Sequence, residues 1–395
     1  MKIDNEKILA ITEVGQAQPR LREALFMKNI KHLDNVNFIC VDEDLGHDVV
    51  SEMLSMFTIE CGEICSALSS KKLRIINKEF LTTGKYTFKY TYDIGLDTQI
   101  VSYIQRYMSG GLEENNFKYI KPLRVRREIE STVHIEPYIF ENYIKNKKFT
   151  EIEKESVYNT FLFLDLPLIP MISYEQAVEN SQRRVEALQL FESSEGIKEL
   201  EWLYLYNYCL LLETVWLKFC KNNLKEKMIE MLKFQNEKTC TTDPMFINIA
   251  YEYWKKGANV PFFNKIQKGQ KNILEKLKNM AWDLFHWRRL FNSFTLLMTP
   301  EADISIPLIY SGDRRFLDLV HLIKLNCMAV DKNEKQVFPF YEKDALDDVL
   351  NKEEQFRFLN EDTMKYRNEN KKNVNIIKII EKLEKEILKL GVFEN

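Results

Sequence analysis

The hydrophobic period of the chain changes once between residues 85 and 110, and that change restricts the fold more than any other feature. The segment KYTFKYTYDIGLDTQIVSYIQRYMSG alternates aromatic and β-branched residues as far as Leu96, which is the pattern of a buried strand. From Thr98 onward apolar residues recur at three- and four-residue spacing, and Gly110-Gly111 supplies a helix stop. Strand therefore passes to helix at Asp97. In an open α/β sheet such a position lies at the carboxyl end of a strand, where ligands bind.

The same order recurs in ISIPLIYSGDRRFLDLV: a strand over 304–311, a tight turn at Ser311-Gly312-Asp313, then a helix. Two aspartates at strand ends converge if their strands are neighbours. Clustered carboxylates repel one another, and the usual compensation is a divalent cation that prefers oxygen. The competing reading is that each aspartate simply caps its helix.

Composition narrows the class. Only 12 glycines and 10 prolines, with 45% hydrophobic and 29% charged residues, favour a folding, helix-rich chain. A net charge of −3 gives no global signal for nucleic acid, so any such binding must be local. The start, MKIDNEKILAITEV, has no uninterrupted apolar core, so no signal peptide is expected. The longest apolar run, FLFLDLPLIPMI (161–172), is too short to cross a bilayer and carries Asp165. The expectation is a cytoplasmic protein with no membrane partner. Seven scattered cysteines fit reduced, buried thiols; Cys61 and Cys65, four apart on an expected helix over 47–70, lack partners for a zinc set.

The expected organisation is α/β, a small parallel sheet with a large helical insertion and a helical C-terminal tail. Residues 1–84 read as a mixed segment packed on the core, with a strand over 35–44. Residues 85–150 form the first half of the core, 151–263 the insertion, and 264–335 the second half. The tail, 336–395, contains an amphipathic helix over 375–391. A long helix is expected over 264–294.

Two further acids belong to the candidate site. Asp283 lies in NMAWDLFHWRRL, on an otherwise apolar helix, where an unpaired buried carboxylate would cost several kcal/mol. An ion pair with Arg288 or Lys278 is the plainer account. Glu141 lies in HIEPYIFENYIKN, with Pro137 suited to a helix's first turn; a solvated helix face is its alternative. His286, three residues after Asp283, is a candidate for substrate contact or a packed histidine.

Taken in order, Asp97-Thr98-Gln99, Glu141, Asp283 and Ser311-Gly312-Asp313 resemble the acidic motifs of the PIN-like family of metal-dependent nucleases. Gln99 stands where the family has Asn. The resemblance covers roughly 85–145 and 270–330, with the helices between read as an insertion. It implies a small parallel sheet and hydrolysis of a phosphodiester, foremost in RNA, with DNA as the lesser alternative. It further implies Mg²⁺ or Mn²⁺ held by Asp97, Asp283 and Asp313, with Glu141 completing the shell or orienting water and Thr98 supporting it. Glu136, Glu175, Glu179 and Glu213 are alternatives for the second acid. Enlarged nucleases of this kind resemble effectors, or toxins, of bacterial stress and phage defence.

Substrate phosphates would meet Arg288, Arg289, Arg314 and Arg315, beside the acidic motifs. Residues 254–289 hold nine Lys or Arg against two acids, and KPLRVRR (121–127) adds a second basic cluster. A regulatory protein or a second copy of the chain would dock on the helical insertion or the 375–391 helix. Two rivals remain: a non-catalytic helical adaptor, and a metal-dependent phosphatase or nucleotide hydrolase.

Overall fold

The computed structural model describes residues 5–48, 62–66, 68, 72–84, 89–124, 131–168, 171–192, 194, 196–294 and 304–390. The chain is mixed α/β and divides into two units. The first comprises 1–194, 287–320 and 324–342; the second comprises 195–286, 321–323 and 343–395.

All the described strands belong to the first unit. In chain order they are β1 (Val36–Val41), β2 (His47–Asp48), β3 (Glu63–Ser66), β4 (Lys72–Ile76) and β5 (Tyr90–Leu96). They continue with β6 (Ser131–His134), β7 (Ile304–Ser311), β8 (Leu325–Asp331) and β9 (Gln336–Tyr341). Four of them form a sheet in the order β3-β7-β5-β6. Within it β7, β5 and β6 run parallel and β3 antiparallel, so the sheet is mixed rather than purely parallel. The other five form an antiparallel sheet, β2-β4-β1-β8-β9, which was not anticipated.

Three segments depart from the sequence reading, each for a local reason. Residues 63–66 pair with Leu308–Ser311 as strand β3 instead of continuing a helix; burial of Ile64 and Cys65 in that pairing outweighs their helical spacing. Residues 49–61 of that expected helix, like 85–88 and 125–130 of the other segments, lie outside the described residues. The helix expected from 264 begins only at Ile273. Gly269 and Asn272 upstream adopt left-handed φ of 76° and 61°, which interrupts a right-handed helix. Finally, the start of the tail, QVFPFY, is a strand: its aromatic and β-branched residues extend the β8 ladder.

The antiparallel sheet packs its inner face on the Asn5–Gln16 and Pro19–Lys28 helices. That core joins Ile11, Val14, Phe26, Leu33, Phe38 and Ala329. Phe26 and Phe38 meet edge to face at 5.9 Å between centroids.

The second unit is helical. Its Gly196–Cys220 helix is buried along Tyr206–Val215, and Ile376–Lys389 packs against it through Ile376, Ile380, Leu383 and Ile387. The Tyr208 hydroxyl donates to Glu384 across that contact at 2.8 Å. The amphipathic tail helix thus turns its apolar stripe inward, onto its own unit. Among the described residues no helix is long and apolar enough to cross a membrane.

These burials predict a contrast between two phenylalanines. Phe38 is fully buried and Phe356 is 68% exposed. Phe38→Ala should destabilise the first unit by about 3–5 kcal/mol, and Phe356→Ala should cost less than about 0.5 kcal/mol. Urea unfolding of both variants checks this; equal losses would mean that the Phe38 core is not as packed as described.

Candidate active site at the carboxyl edge of the mixed sheet

Strands β5 and β7 end level with each other. Their register pairs Gly95 with Ile309 and Leu96 with Tyr310, and the Asp97 N–H extends the ladder by donating to the Tyr310 carbonyl at 3.1 Å. The next residue on one strand is Asp97 and on the other Ser311, so the two sequence motifs meet.

Ser311 is fully buried, and its hydroxyl joins both aspartates. It donates to Asp97 Oδ2 at 2.6 Å and accepts the Asp313 N–H at 3.0 Å. The two aspartates then diverge in role. Asp313 Oδ1 accepts the Arg315 N–H at 2.9 Å, which caps the Arg314–Leu322 helix. Asp97 occupies the N-cap position of Thr98–Met108, with extended φ and ψ of −61° and 150°, yet makes no side-chain cap. Its carboxylate turns across the strands to Ser311 instead.

Between them Gly312 allows a close approach of side chains to the backbone. A Cβ there would lie 3.0 Å from both Gln99 Oε1 and Tyr119 Cε1. Gln99 donates to the Tyr103 hydroxyl at 2.9 Å, whereas its Oε1 is buried without a hydrogen-bond partner. The tight turn thus brings an unsatisfied amide oxygen against the backbone of the site.

Glu141, on the Glu136–Asn146 helix, is brought to the same edge. Its Oε2 accepts the Thr98 hydroxyl at 2.6 Å, and its Oε1 pairs with Lys145 one turn along. Both oxygens are engaged, so Glu141 positions Thr98 and is neutralised by its own lysine. Glu136, the first alternative, pairs with Arg289 at 3.2 Å, and the Arg289 guanidinium also stands over the Phe140 ring. Arg289 therefore serves a protein carboxylate. Arg314 is exposed and Arg315 half-buried beside Asp313; Arg288 is half-buried.

The remaining predicted acids lie on other helices. Asp283 is half-buried in the second unit, between Trp282 and Leu284 of the Ile273–Ser293 helix. His286, in the same unit, is packed against Trp282 and Phe285, with ring centroids 6.0 and 5.5 Å away. Glu175 and Glu179 are exposed on the Tyr174–Glu192 helix, and Glu179 pairs with Arg183. Glu213 is buried in the second unit on Gly196–Cys220.

One strand turn below Asp97 lies a pair that sequence reading passed over. Asp93 is buried, with Oδ1 3.4 Å from His134 Nε2 on the neighbouring strand β6. His134 Nδ1 accepts the Glu136 N–H at 3.3 Å, which leaves Nε2 as the ring atom that faces Asp93. Burial pushes the Asp93 carboxyl up, and the imidazole beside it pulls the other way. The two-residue period from Asp93 through Gly95 to Asp97 was the available signal. Lys145 was legible from its i,i+4 offset to Glu141. Nothing local pointed to Tyr119.

The donor set was tested against Mg²⁺ or Mn²⁺. All its members are hard oxygen donors, as such ions require. However, among the described residues no group of three or more His, Cys, Asp or Glu side chains is gathered to hold a metal ion. Thr98 and Lys145 occupy Glu141, and the helix amide occupies Asp313 Oδ1. As folded, these acids do not fit such a centre. No protein-family profile, curated protein or solved structure matches the chain.

Glu213 yields a pH dependence instead. Burial, reinforced by the Glu230 charge, pushes its carboxyl from 4.5 to about 7, against a smaller opposing pull from Lys382. The folded state then holds a proton that the unfolded state has lost between those two values. Stability contributed by the neutral carboxyl is full below pH 4.5 and is lost as pH rises through 7, by at most about 3 kcal/mol. Glu213→Gln should flatten this slope, measured as denaturant midpoint at several pH values; an unchanged slope would assign it to another group.

Proposed function

We propose that the first unit hydrolyses phosphodiesters, RNA foremost, at the edge where β5 and β7 end. The observation that carries this reading is the orientation of Asp97. A capping aspartate would bond its own helix, whereas this carboxylate makes no cap and is held against Ser311 of the adjacent parallel strand. It is half-buried, at the position where open α/β sheets bind ligands.

In this reading Asp97 is the general base. A water attacks phosphorus and gives its proton to the Asp97 carboxylate as the new P–O bond forms; the P–O bond to the leaving oxygen breaks, and that oxygen takes a proton from solvent. Ser311 fixes Asp97 and Asp313 in register, and the Thr98–Glu141 pair fixes the start of the helix. Arg314 and Arg315 supply guanidiniums for the phosphate. The resemblance of these motifs to the PIN-like nucleases supports the same reaction class, although the acids are not gathered as that family's cation would need.

A second reading has its own support. The Lys145 pairing of Glu141 and the capping role of Asp313 are what an interaction protein without chemistry would keep.

The two separate on incubation of the purified chain with RNA, single-stranded DNA and nucleotides, with Mg²⁺ or Mn²⁺ and with chelator. RNA cleavage should fall about 10²–10⁴-fold in Asp97→Asn with unchanged circular dichroism, the range for loss of a general base. Ser311→Ala should fall less. Cleavage surviving chelation assigns the chemistry to Asp97, whereas cleavage requiring the cation restores the metal-dependent form of the nuclease. Turnover of nucleotides alone indicates a phosphatase. Equal activity in parent and Asp97→Asn removes the site, and no cleavage leaves the interaction protein.

A further inference from the structure

The antiparallel sheet buries a thiol pair beside an arginine, apart from the carboxylate edge. Cys40 on β1 and Cys327 on β8 stand directly opposite in register, both almost completely buried, with their sulfurs 2.9 Å apart. Directly opposed antiparallel residues have Cα atoms about 4.5–5.5 Å apart, within the span of a disulfide, which joins sulfurs at about 2.05 Å. The register therefore presents the two sulfurs to each other.

Arg22, on the Pro19–Lys28 helix, is 1% exposed. Its Nε donates to the Ala17 carbonyl at 3.1 Å and one terminal nitrogen to Asn326 Oδ1 at 3.4 Å, while the other, buried, has no hydrogen-bond partner. A guanidinium cannot shed its charge, and an uncompensated buried charge costs several kcal/mol. Neither acceptor just named is anionic. The thiolate form of Cys40 would place a negative charge beside Arg22.

We propose that Cys40 and Cys327 form an oxidisable dithiol that a peroxide closes to a disulfide, with Arg22 holding Cys40 as the attacking thiolate. Burial and the Asp42 charge raise the Cys40 thiol, but its hydrogen bond with Cys327 and the Arg22 charge lower it on balance, whereas burial and the Cys40 contact push the Cys327 thiol up. The Cys40 thiolate attacks one oxygen of hydrogen peroxide and the O–O bond breaks. The products are a sulfenic acid and hydroxide, which takes a proton to become water. The Cys327 sulfur then displaces the sulfenic oxygen, which leaves as water with the Cys327 proton. Two thiols and one peroxide give one disulfide and two waters. The closed bond would tie β1, the central strand of that sheet, to its neighbour β8.

The test uses the full chain, treated with hydrogen peroxide, alkylated under denaturing conditions and mapped by mass spectrometry. A cross-linked Cys40–Cys327 peptide is expected. Cys327→Ser should stop at the sulfenic acid and be trapped on Cys40 by dimedone, whereas Cys40→Ser should leave Cys327 unlabelled. Arg22→Met should slow oxidation about tenfold or more, the effect of raising the thiol by one pKa unit. Arg22→Lys should keep most of the rate, which separates loss of charge from loss of folding. Cys65 and Cys209, buried thiols pushed up by desolvation, serve as unreactive controls. Exposed Cys220 reports simple accessibility. Recovery of Cys40 and Cys327 as alkylated free thiols while Cys220 is oxidised overturns the proposal. So does equal dimedone labelling in the two serine variants.

Discussion

Parallel pairing of β5 with β7 is the constraint on which the candidate site depends. It joins segments more than two hundred residues apart in sequence and sets Asp97 beside Ser311. Apolar burial makes that pairing. Ile94, Leu96, Ile306 and Leu308 are all fully buried, and each such side chain contributes about 1.5–3 kcal/mol. The Ser311–Asp97 hydrogen bond, even charge-assisted, is worth about 1.5–3 kcal/mol, so it cannot set the register against four such side chains. A one-residue slip would turn every inward side chain outward. The polar geometry of the edge is therefore a consequence of the hydrophobic register, and a substitution of Ser311 can alter the carboxylate without moving the strands.

Three acids at this edge show how one functional group, the carboxylate, takes different roles. Asp313 stabilises a helix terminus, where the first-turn amides lack partners. Glu141 is an i,i+4 partner of Lys145 and also accepts the Thr98 hydroxyl. Asp97 alone reaches across to another strand. Each arrangement is locally favourable, but drawing the three carboxylates around one cation would require breaking the Lys145 pair and the Asp313 cap. Each loss is modest, about 1 kcal/mol for a cap and less for a partly exposed ion pair. A preassembled metal site would have its ligands held by other groups before the metal arrived; here the ligands themselves are engaged.

Legibility in the sequence followed the range of the interactions. The strand-to-helix changes at Asp97 and Asp313 were readable because period and turn chemistry are local, and the helices 98–108, 314–322 and 376–389 followed from the same signals. Strand β8 was not: LNCMAVD is a short apolar run that periodicity cannot tell from a helix segment. Its strand character comes from β1, nearly three hundred residues away in sequence. Strand β3 was lost for a similar reason, through pairing with β7. At the site, Asp97 and Asp313 were legible by grammar. The occupation of Glu141 by Lys145 was implicit in their spacing, and Asp283 belongs to the second unit.

Buried charge is handled in opposite ways in the two units, and the difference is chemical. Asp331, 1% exposed at the end of β8, pairs with Lys7 and accepts the Asn333 and Glu334 amides at 3.1 and 3.3 Å. The cation and the two amides replace contacts with water that burial removes. Glu213 lies along a helix flanked by Leu210, Leu211, Leu212, Val215 and Leu217, and the nearest strong influence is another acid, Glu230. Its cheaper course is to keep the proton. Arg22 has a fixed charge, and a thiolate beside it would be stabilised by it. In that pocket the neighbour is a thiol. A buried guanidinium therefore makes a reactive sulfur out of what is otherwise a small apolar side chain, in a sheet whose register has already placed the second sulfur opposite.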